Sequence, residues 1–305
     1  MGELLYTNLA DRLFHAPGVW QIKQCPDTGC GLLWLDPVPV EDDLPLIYQD
    51  YFTHQPRSAG NHGAGRPVIH WLYRALLCTT GLARQRADQL SFYLRGTQPG
   101  RLLDVGCGDG GQLVRLRDMG WQVEGQEVDA TSAERARGEH GLRVHVGPLR
   151  DAGLTDASFD VVTMSHVIEH VHDPVALLKE CHRILKPGGS LVAVTPNAKG
   201  YGHQRFRSHW MPLEPPRHLY IFSPSTLRRV ARLAGFRQEE CWTTAAKAQF
   251  FFESSQDIER LGRHDVSAHP GVRRGLQALA FQFQALAVHS VRKDSGDECV
   301  LRARK

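Results

Sequence analysis

The chain is expected to form an α/β fold, a mostly parallel sheet with helices on both faces. Three observations predict it. From Arg101 onward, apolar runs of strand length alternate with segments of helical periodicity, the rhythm of parallel strands joined by crossover helices. The first run ends in a glycine-rich turn, Gly106-Cys107-Gly108-Asp109-Gly110-Gly111. Two later helices carry explicit boundaries: Asp173-Pro174 opens one that Pro187-Gly188-Gly189 stops, and Ser223-Pro224 opens one that Gly235 ends. A side-chain acceptor at the N-cap with proline at the first helical position, and glycine past the end, satisfy the orphan backbone groups of helix termini.

Taken in order, strands are predicted at Arg101–Val105, Gln122–Glu127, Leu142–Val146, Phe159–Met164, Gly189–Thr195, Gln238–Thr243 and Glu298–Ala303. Helices are predicted at Gly111–Met119, Thr131–Glu139, after Asp173 with Leu177, Leu178, Cys181, Ile184 and Leu185 as the buried face, and after Ser223 with Leu227, Val230 and Leu233. Residues 246–293 read as a helical insertion before the last strand, with Leu276, Leu279, Phe283 and Leu286 on one face. That face suits a substrate cover, a homodimer contact or its own core. Residues 1–59 show little regular pattern apart from a short strand in LLWLDPVP. Gly60 to Pro67 reads as a linker and 68–95 as a helix striped by Ile69, Leu72, Leu76 and Leu77. Two units follow: an N-terminal extension of 1–95 and a domain of 96–305 containing the insertion.

Bulk composition removes some functions. Apolar residues make up 42% and charged residues 23% of the 305, as in an ordinary globular protein. With 36 basic and 33 acidic residues the net charge is +3, so no electrostatic argument supports a nucleic-acid partner. Seven cysteines, odd in number and mostly isolated, imply a reducing compartment without a disulfide framework. The first residues lack the basic start and apolar run of a signal peptide, and no apolar stretch reaches membrane-spanning length. A cytoplasmic location is expected.

The glycine turn carries the chemistry. Gly106, Gly108 and Gly111 satisfy G-x-G-x-x-G, and Glu127 ends the next strand, the spacing of a dinucleotide site. Charge argues otherwise. A diphosphate needs backbone N–H groups without a nearby anion, and Asp104 and Asp109 flank this turn; two like charges ~4 Å apart repel by ~4 kcal/mol at an effective dielectric near 20. S-adenosylmethionine carries an ammonium, a sulfonium and no phosphate, so a carboxylate at Asp104 suits it, and Glu127 can accept ribose hydroxyls.

These segments resemble class I S-adenosylmethionine-dependent methyltransferases over about residues 95–245. LLDVGCGDGG is similar to their first motif and Gly125-Gln126-Glu127-Val128-Asp129 to their ribose motif. SFDVVTMSHVIEHVHDP and RILKPGGSLVAVTPN resemble their fourth strand with its loop and the helix-turn-strand beyond. EPPRHLYIFSPSTLRRVARLAGF is similar to a subfamily that includes ubiquinone-pathway enzymes. The resemblance implies a Rossmann-like, seven-stranded sheet and S-adenosylmethionine as cofactor. Asp104, Gly106, Cys107 and Gly108 would face its methionine part, Glu127 the ribose, Val128, Pro148 and Leu149 the adenine, and Ser165 and His166 would stand beside it. The acceptor would be a small molecule or a glycan- or lipid-linked intermediate methylated on oxygen, nitrogen or carbon. A non-catalytic cofactor-binding scaffold remains the alternative.

A base is needed only if the acceptor must lose a proton. His170, with Glu169 orienting it, is the first candidate, and His218 its rival; each could instead be a structural group. Arg217 could hold an acceptor carboxylate or phosphate. Tyr48, Tyr51 and His54 could belong to a lid. Cys25-Pro-Asp-Thr-Gly-Cys30 is similar to half of a zinc ribbon, but a structural zinc wants four ligands, so no metal is expected.

Overall fold

The computed structural model describes residues 2–40, 43–48, 77, 81–264 and 272–305. The predicted linker, the stripe residues Ile69, Leu72 and Leu76, and Tyr51 and His54 lie outside them.

Eleven strands are described, in two sheets. β1 (Glu3–Leu9), β2 (Trp20–Gln24) and β3 (Leu33–Asp36) come first. β4 (Arg101–Val105), β5 (Gln122–Glu127), β6 (Val144–Val146), β7 (Phe159–Ser165) and β8 (Leu185–Pro196) follow with helices between them. β9 (Tyr220–Ile221), β10 (Arg237–Thr244) and β11 (Glu298–Arg304) complete the set.

The larger sheet has seven strands in the order β10-β11-β8-β7-β4-β5-β6. β4 through β8 pair in parallel, and β11 is antiparallel to both neighbours. The expected Rossmann-like, seven-stranded, mostly parallel sheet is therefore the observed one. The chain leaves β4 toward β5 and β6, then returns to lay β7 and β8 on the other side. That reversal makes a crevice outside the carboxyl ends of β4 and β7, the place where open α/β sheets bind ligands.

Helices cover both faces. On one, Leu178, Cys181 and Ile184 of the helix Pro174–Ile184 and Leu227 and Ala231 of the helix Pro224–Leu233 pack on Leu103, Val162, Leu191 and Leu301. On the other, Leu113, Leu116, Ala133 and Ala136, from helices Gly111–Asp118 and Ala130–His140, meet Leu102, Val161 and Val192. The predicted caps form: Asp173 accepts from the Ala176 N–H at 2.8 Å, and Ser223 and Thr226 exchange the reciprocal bonds of a capping box.

The front of the chain is more regular than expected. β1, β2 and β3 join β9 in an antiparallel four-stranded sheet. Alternation is weak in β1 because it is an edge strand with mostly exposed side chains, so periodicity could not reveal it. This sheet shares a second core with helices Tyr201–Phe206, Ala248–Leu261 and Val272–Val291, around Leu35, Trp210, Ile221, Phe252 and Phe281. The insertion is helical, but its inward face is Ala278, Phe281 and Ala285, while Leu276 is 59% exposed. Of the expected stripe Leu286 packs against this core, beside Phe281, and buried Gln282 bonds Ala245 O and the Gln249 N–H. No helix among the described residues is long and apolar enough to cross a membrane.

Candidate active site

The glycine turn sits where the sheet order reverses. Gly106, Gly108 and Gly110 all have positive φ, conformations that residues with a Cβ rarely adopt. A Cβ on Gly106 would come within 2.5 Å of Val167, in the loop after β7, whereas one on Gly108 would meet nothing within 4 Å. Gly106 thus allows the two loops to touch, and Gly108 leaves space above its backbone.

Two carboxylates border that space. Glu127 accepts the Gly108 N–H at 2.7 Å through one oxygen and the Val128 and Asp129 N–H groups at 2.8 and 3.0 Å through the other. Asp104 is buried and accepts the Thr163 hydroxyl at 2.7 Å. Burial, with the Glu127 charge adding and the Thr163 bond opposing, pushes its pKa up to about 7. Neither forms an ion pair among the described residues. A buried acid without a counter-charge fits a cationic ligand and rejects a diphosphate. Val128 beside them is exposed, whereas Leu149 is buried in the short helix Leu149–Asp151, with Pro148 just before it. Cys107 is buried and its thiol pKa is raised, first by burial and then by Asp104.

β7 supplies the second wall. Ser165 ends it, and His166 follows in a left-handed conformation, φ 56. Its ring bridges two fully buried carboxylates, Nδ1 to Glu169 at 3.1 Å and Nε2 to Glu298 at 2.8 Å. Carboxylates at neutral pH only accept, so both nitrogens carry protons. Burial and Lys247 press its pKa down, and the two carboxylates outweigh them, lifting it to about 9. Glu169 also accepts the Thr195 hydroxyl at 3.0 Å.

His218 comes together with the adjacent pair Glu169 and His170, 48 positions before it. One donor atom from each lies within 4.8 Å of the others, so among the described residues this group could also hold a metal ion. The two imidazoles meet edge to face with centroids 4.6 Å apart. Nδ1 of His170 faces Arg217 O at 3.1 Å and the Tyr48 hydroxyl at 3.2 Å, and Nδ1 of His218 faces Pro212 O at 2.6 Å. A carbonyl only accepts, so each ring holds its proton on Nδ1. Burial lowers both pKa values to about 4, with the neighbouring His218 helping for His170. His218 is buried and His170 partly open. Tyr48, from the front segment, thus reaches this site.

Arg217 does not face a ligand. Its guanidinium makes two bonds to Asp11 at 2.7 and 2.9 Å and one to Glu214 at 2.9 Å, with both ends of the Asp11 pair fully buried. The expectation that it binds an acceptor anion fails, because a partner 206 positions away takes the charge. Sequence reasoning also missed Glu298, Lys247 and Thr163: Thr163 and Glu298 read only as strand positions, and nothing local ties any of the three to the site. Cys25 and Cys30 form the turn between β2 and β3, closed by Cys25 N–H to Leu32 O and Cys30 N–H to Asp27 O.

The shifted histidines set a pH dependence. Between the ordinary imidazole range and pH 4 the unfolded chain binds protons that folded His170 and His218 refuse, so stability falls as pH drops through that window. The His166 contribution runs the other way: present at neutral pH, lost as pH rises through about 9. Asp104 and Asp297, each raised to about 7 by burial, gain stability as pH falls through the same acid window and offset the two histidines. The readout is therefore the difference between proteins: along the acid limb His170→Gln is expected to gain stability relative to wild type as pH falls toward 4. An unchanged acid limb in that variant contradicts the assignment.

Against known proteins, a family described as a methyltransferase domain matches residues 74–240. The ubiquinone biosynthesis O-methyltransferase of Idiomarina loihiensis is 34% identical over 146 residues, 44% of this chain and 60% of that protein. The protein of the same description from Xanthomonas oryzae is 38% identical over 104 residues, 32% of this chain and 43% of its own. The chain thus spans less than two thirds of these relatives. Among solved structures, a SAM-dependent methyltransferase from Archaeoglobus fulgidus superposes with a TM-score of 0.49 at 19% identity, covering 77% of this chain and 99% of its own.

Proposed function

This chain belongs to the methyltransferase domain family, whose cofactor is S-adenosylmethionine, and from that premise we propose that it transfers a methyl group to a small-molecule or glycan- or lipid-linked acceptor. Residues 96–305 would be the catalytic unit and 1–95 an extension that reaches over the site through Tyr48. The observation that carries the reading is the open space above Gly108, bordered by Asp104 and Glu127 at the sheet's switch point.

When bound, S-adenosylmethionine supplies an electrophilic methyl on a sulfonium, a leaving group good enough for positioning to lower much of the barrier. The residues divide the remaining work. Asp104, Gly106, Cys107 and Gly108 hold the methionine end, and Asp104 gives up its proton to face a cation. Glu127 accepts the ribose hydroxyls, Val128, Pro148 and Leu149 border the adenine, and Ser165 and His166 close the opposite side. His170, neutral and partly open, takes a proton from the acceptor, with Glu169 and His218 beside it.

Calorimetric titration tests the reading. S-adenosylmethionine and S-adenosylhomocysteine are expected to bind in the micromolar range, and NAD not at all. A folded protein that gives no heat with either thioether ligand sinks the proposal. Once an acceptor is found by screening for S-adenosylhomocysteine release, His170→Gln is expected to slow turnover about 10²–10⁴-fold, the usual contribution of a general base, with cofactor affinity unchanged. Full turnover in that variant would remove His170 from the role.

A further inference from the structure

Glu298 begins β11, two strands beyond β7 on the side away from Glu127. One of its oxygens accepts Nε2 of His166 and Nζ of Lys247, each at 2.8 Å, and the other accepts Nε2 of Gln89 at 2.7 Å. Glu169 completes the group from behind His166.

The two signs of charge are not equally placed. Both carboxylates are wholly buried, whereas the His166 and Lys247 side chains are 28% and 33% exposed. Their nitrogens stand 3.1 Å apart and share a single carboxylate oxygen. Two cations that close repel, and the two carboxylates that match them in number, Glu298 and Glu169, both lie on the buried side. Solvent therefore meets a cationic pair whose counter-charges lie beneath it. An incoming carboxylate or phosphate would relieve that repulsion.

We propose that His166 and Lys247 form an anion subsite for the acceptor, so that the methylated compound carries a carboxylate or a phosphate near its reacting atom. The inference rests on the methyltransferase reading above. The anion could come from two sources, since the amino-acid end of the cofactor also has a carboxylate. Position favours the acceptor. His166, at the end of β7, is the member of the pair nearest the cofactor residues, and Lys247, held with it on Glu298 of β11, is the outer one, on the side away from β4 and β5. Asp104 and Glu127, the acids nearest the cofactor, stand on the far side.

The test uses the whole chain saturated with S-adenosylhomocysteine and titrated with benzoate against benzamide, and phenyl phosphate against benzyl alcohol, pairs that differ mainly in charge. In the wild type each anion is expected to bind at least ~10-fold more tightly than its neutral counterpart. Lys247→Gln should erase the preference and Lys247→Arg restore it, with S-adenosylhomocysteine affinity unchanged in both. The melting temperature should fall in Lys247→Gln, which removes a cation from buried Glu298, and recover in Lys247→Arg. Equal binding of charged and neutral compounds overturns the subsite while leaving the cofactor reading intact. A Lys247→Gln variant that loses S-adenosylhomocysteine affinity instead assigns the anion to the cofactor and overturns it too. Absence of S-adenosylhomocysteine binding in the wild type overturns the cofactor reading, and this inference with it.

Discussion

Glu127→Ala is expected to weaken S-adenosylmethionine and S-adenosylhomocysteine binding by ~100-fold or more. Its carboxylate is buried and holds three backbone N–H groups in the ligand-free protein, those of Gly108, Val128 and Asp129. A carboxylate has about four lone-pair positions, so one is left for a first ribose hydroxyl and a second must share or displace one of these bonds. The acid therefore does two things: it shapes the turn and it accepts from the ligand. Hydrogen bonds to a charged group contribute roughly 1.5–3 kcal/mol each, and two of them account for the expected loss. Glu127→Gln keeps an acceptor for one side only and should fall between wild type and alanine. Calorimetry gives the affinities, and melting temperatures show whether each variant is folded. A folded alanine variant that binds within 3-fold of wild type would remove Glu127 from the site.

Arg217→Met should have the largest effect on stability, a loss of about 3–5 kcal/mol. The guanidinium compensates two buried acids, bidentate on Asp11 and single on Glu214, and it lies over the Phe14 ring at 4.6 Å. Asp11 in turn caps the backbone N–H groups of Leu13, Phe14 and Ala16 at 2.9 to 3.1 Å. Removing the cation leaves buried charges uncompensated, which costs far more than the net contribution of the pair itself. The melting temperature should fall by roughly 6–15 °C for a chain of this size. The double variant Asp11→Asn with Arg217→Met should lose less than the sum of the single changes, since neither partner is then stranded. Strict additivity would show that the pair is not coupled. Because Arg217 also offers its carbonyl to His170, the single variant is expected to disturb the active site along with the front segment.

Local order made the architecture legible. The alternation of strand-length and helical runs from Arg101, the Asp173 and Ser223 caps and the glycine turn are each written within a few neighbouring residues. The turn and the acid at the end of the following strand keep fixed places in such a fold, so Asp104, Gly106, Gly108 and Glu127 could be named before any coordinates. β1 was not legible, because an edge strand exposed on most positions carries no alternation, and β2, whose Trp20 and Ile22 do alternate inward, is only five residues long. The face of the helix Val272–Val291 was misjudged for a related reason. Large apolar residues lie on more than one of its faces, and packing selected the one centred on Phe281 between Ala278 and Ala285.

The charges of the site belong to the tertiary structure alone. His170 and His218 were candidates for one role, but only folding places them edge to face against Glu169. Arg217 read as a ligand clamp until Asp11, 206 positions away, occupied it. His166 read as a cofactor neighbour, and Glu298, 132 positions on, fixes its charge. Helical and strand periods record which faces are buried, because burial recurs every two or three to four residues. An ion pair between distant loops recurs nowhere, so the sequence determined the sheet and the glycine turn at its switch point, where the cofactor site is proposed, and only the packing of loops decided which acids and bases surround it.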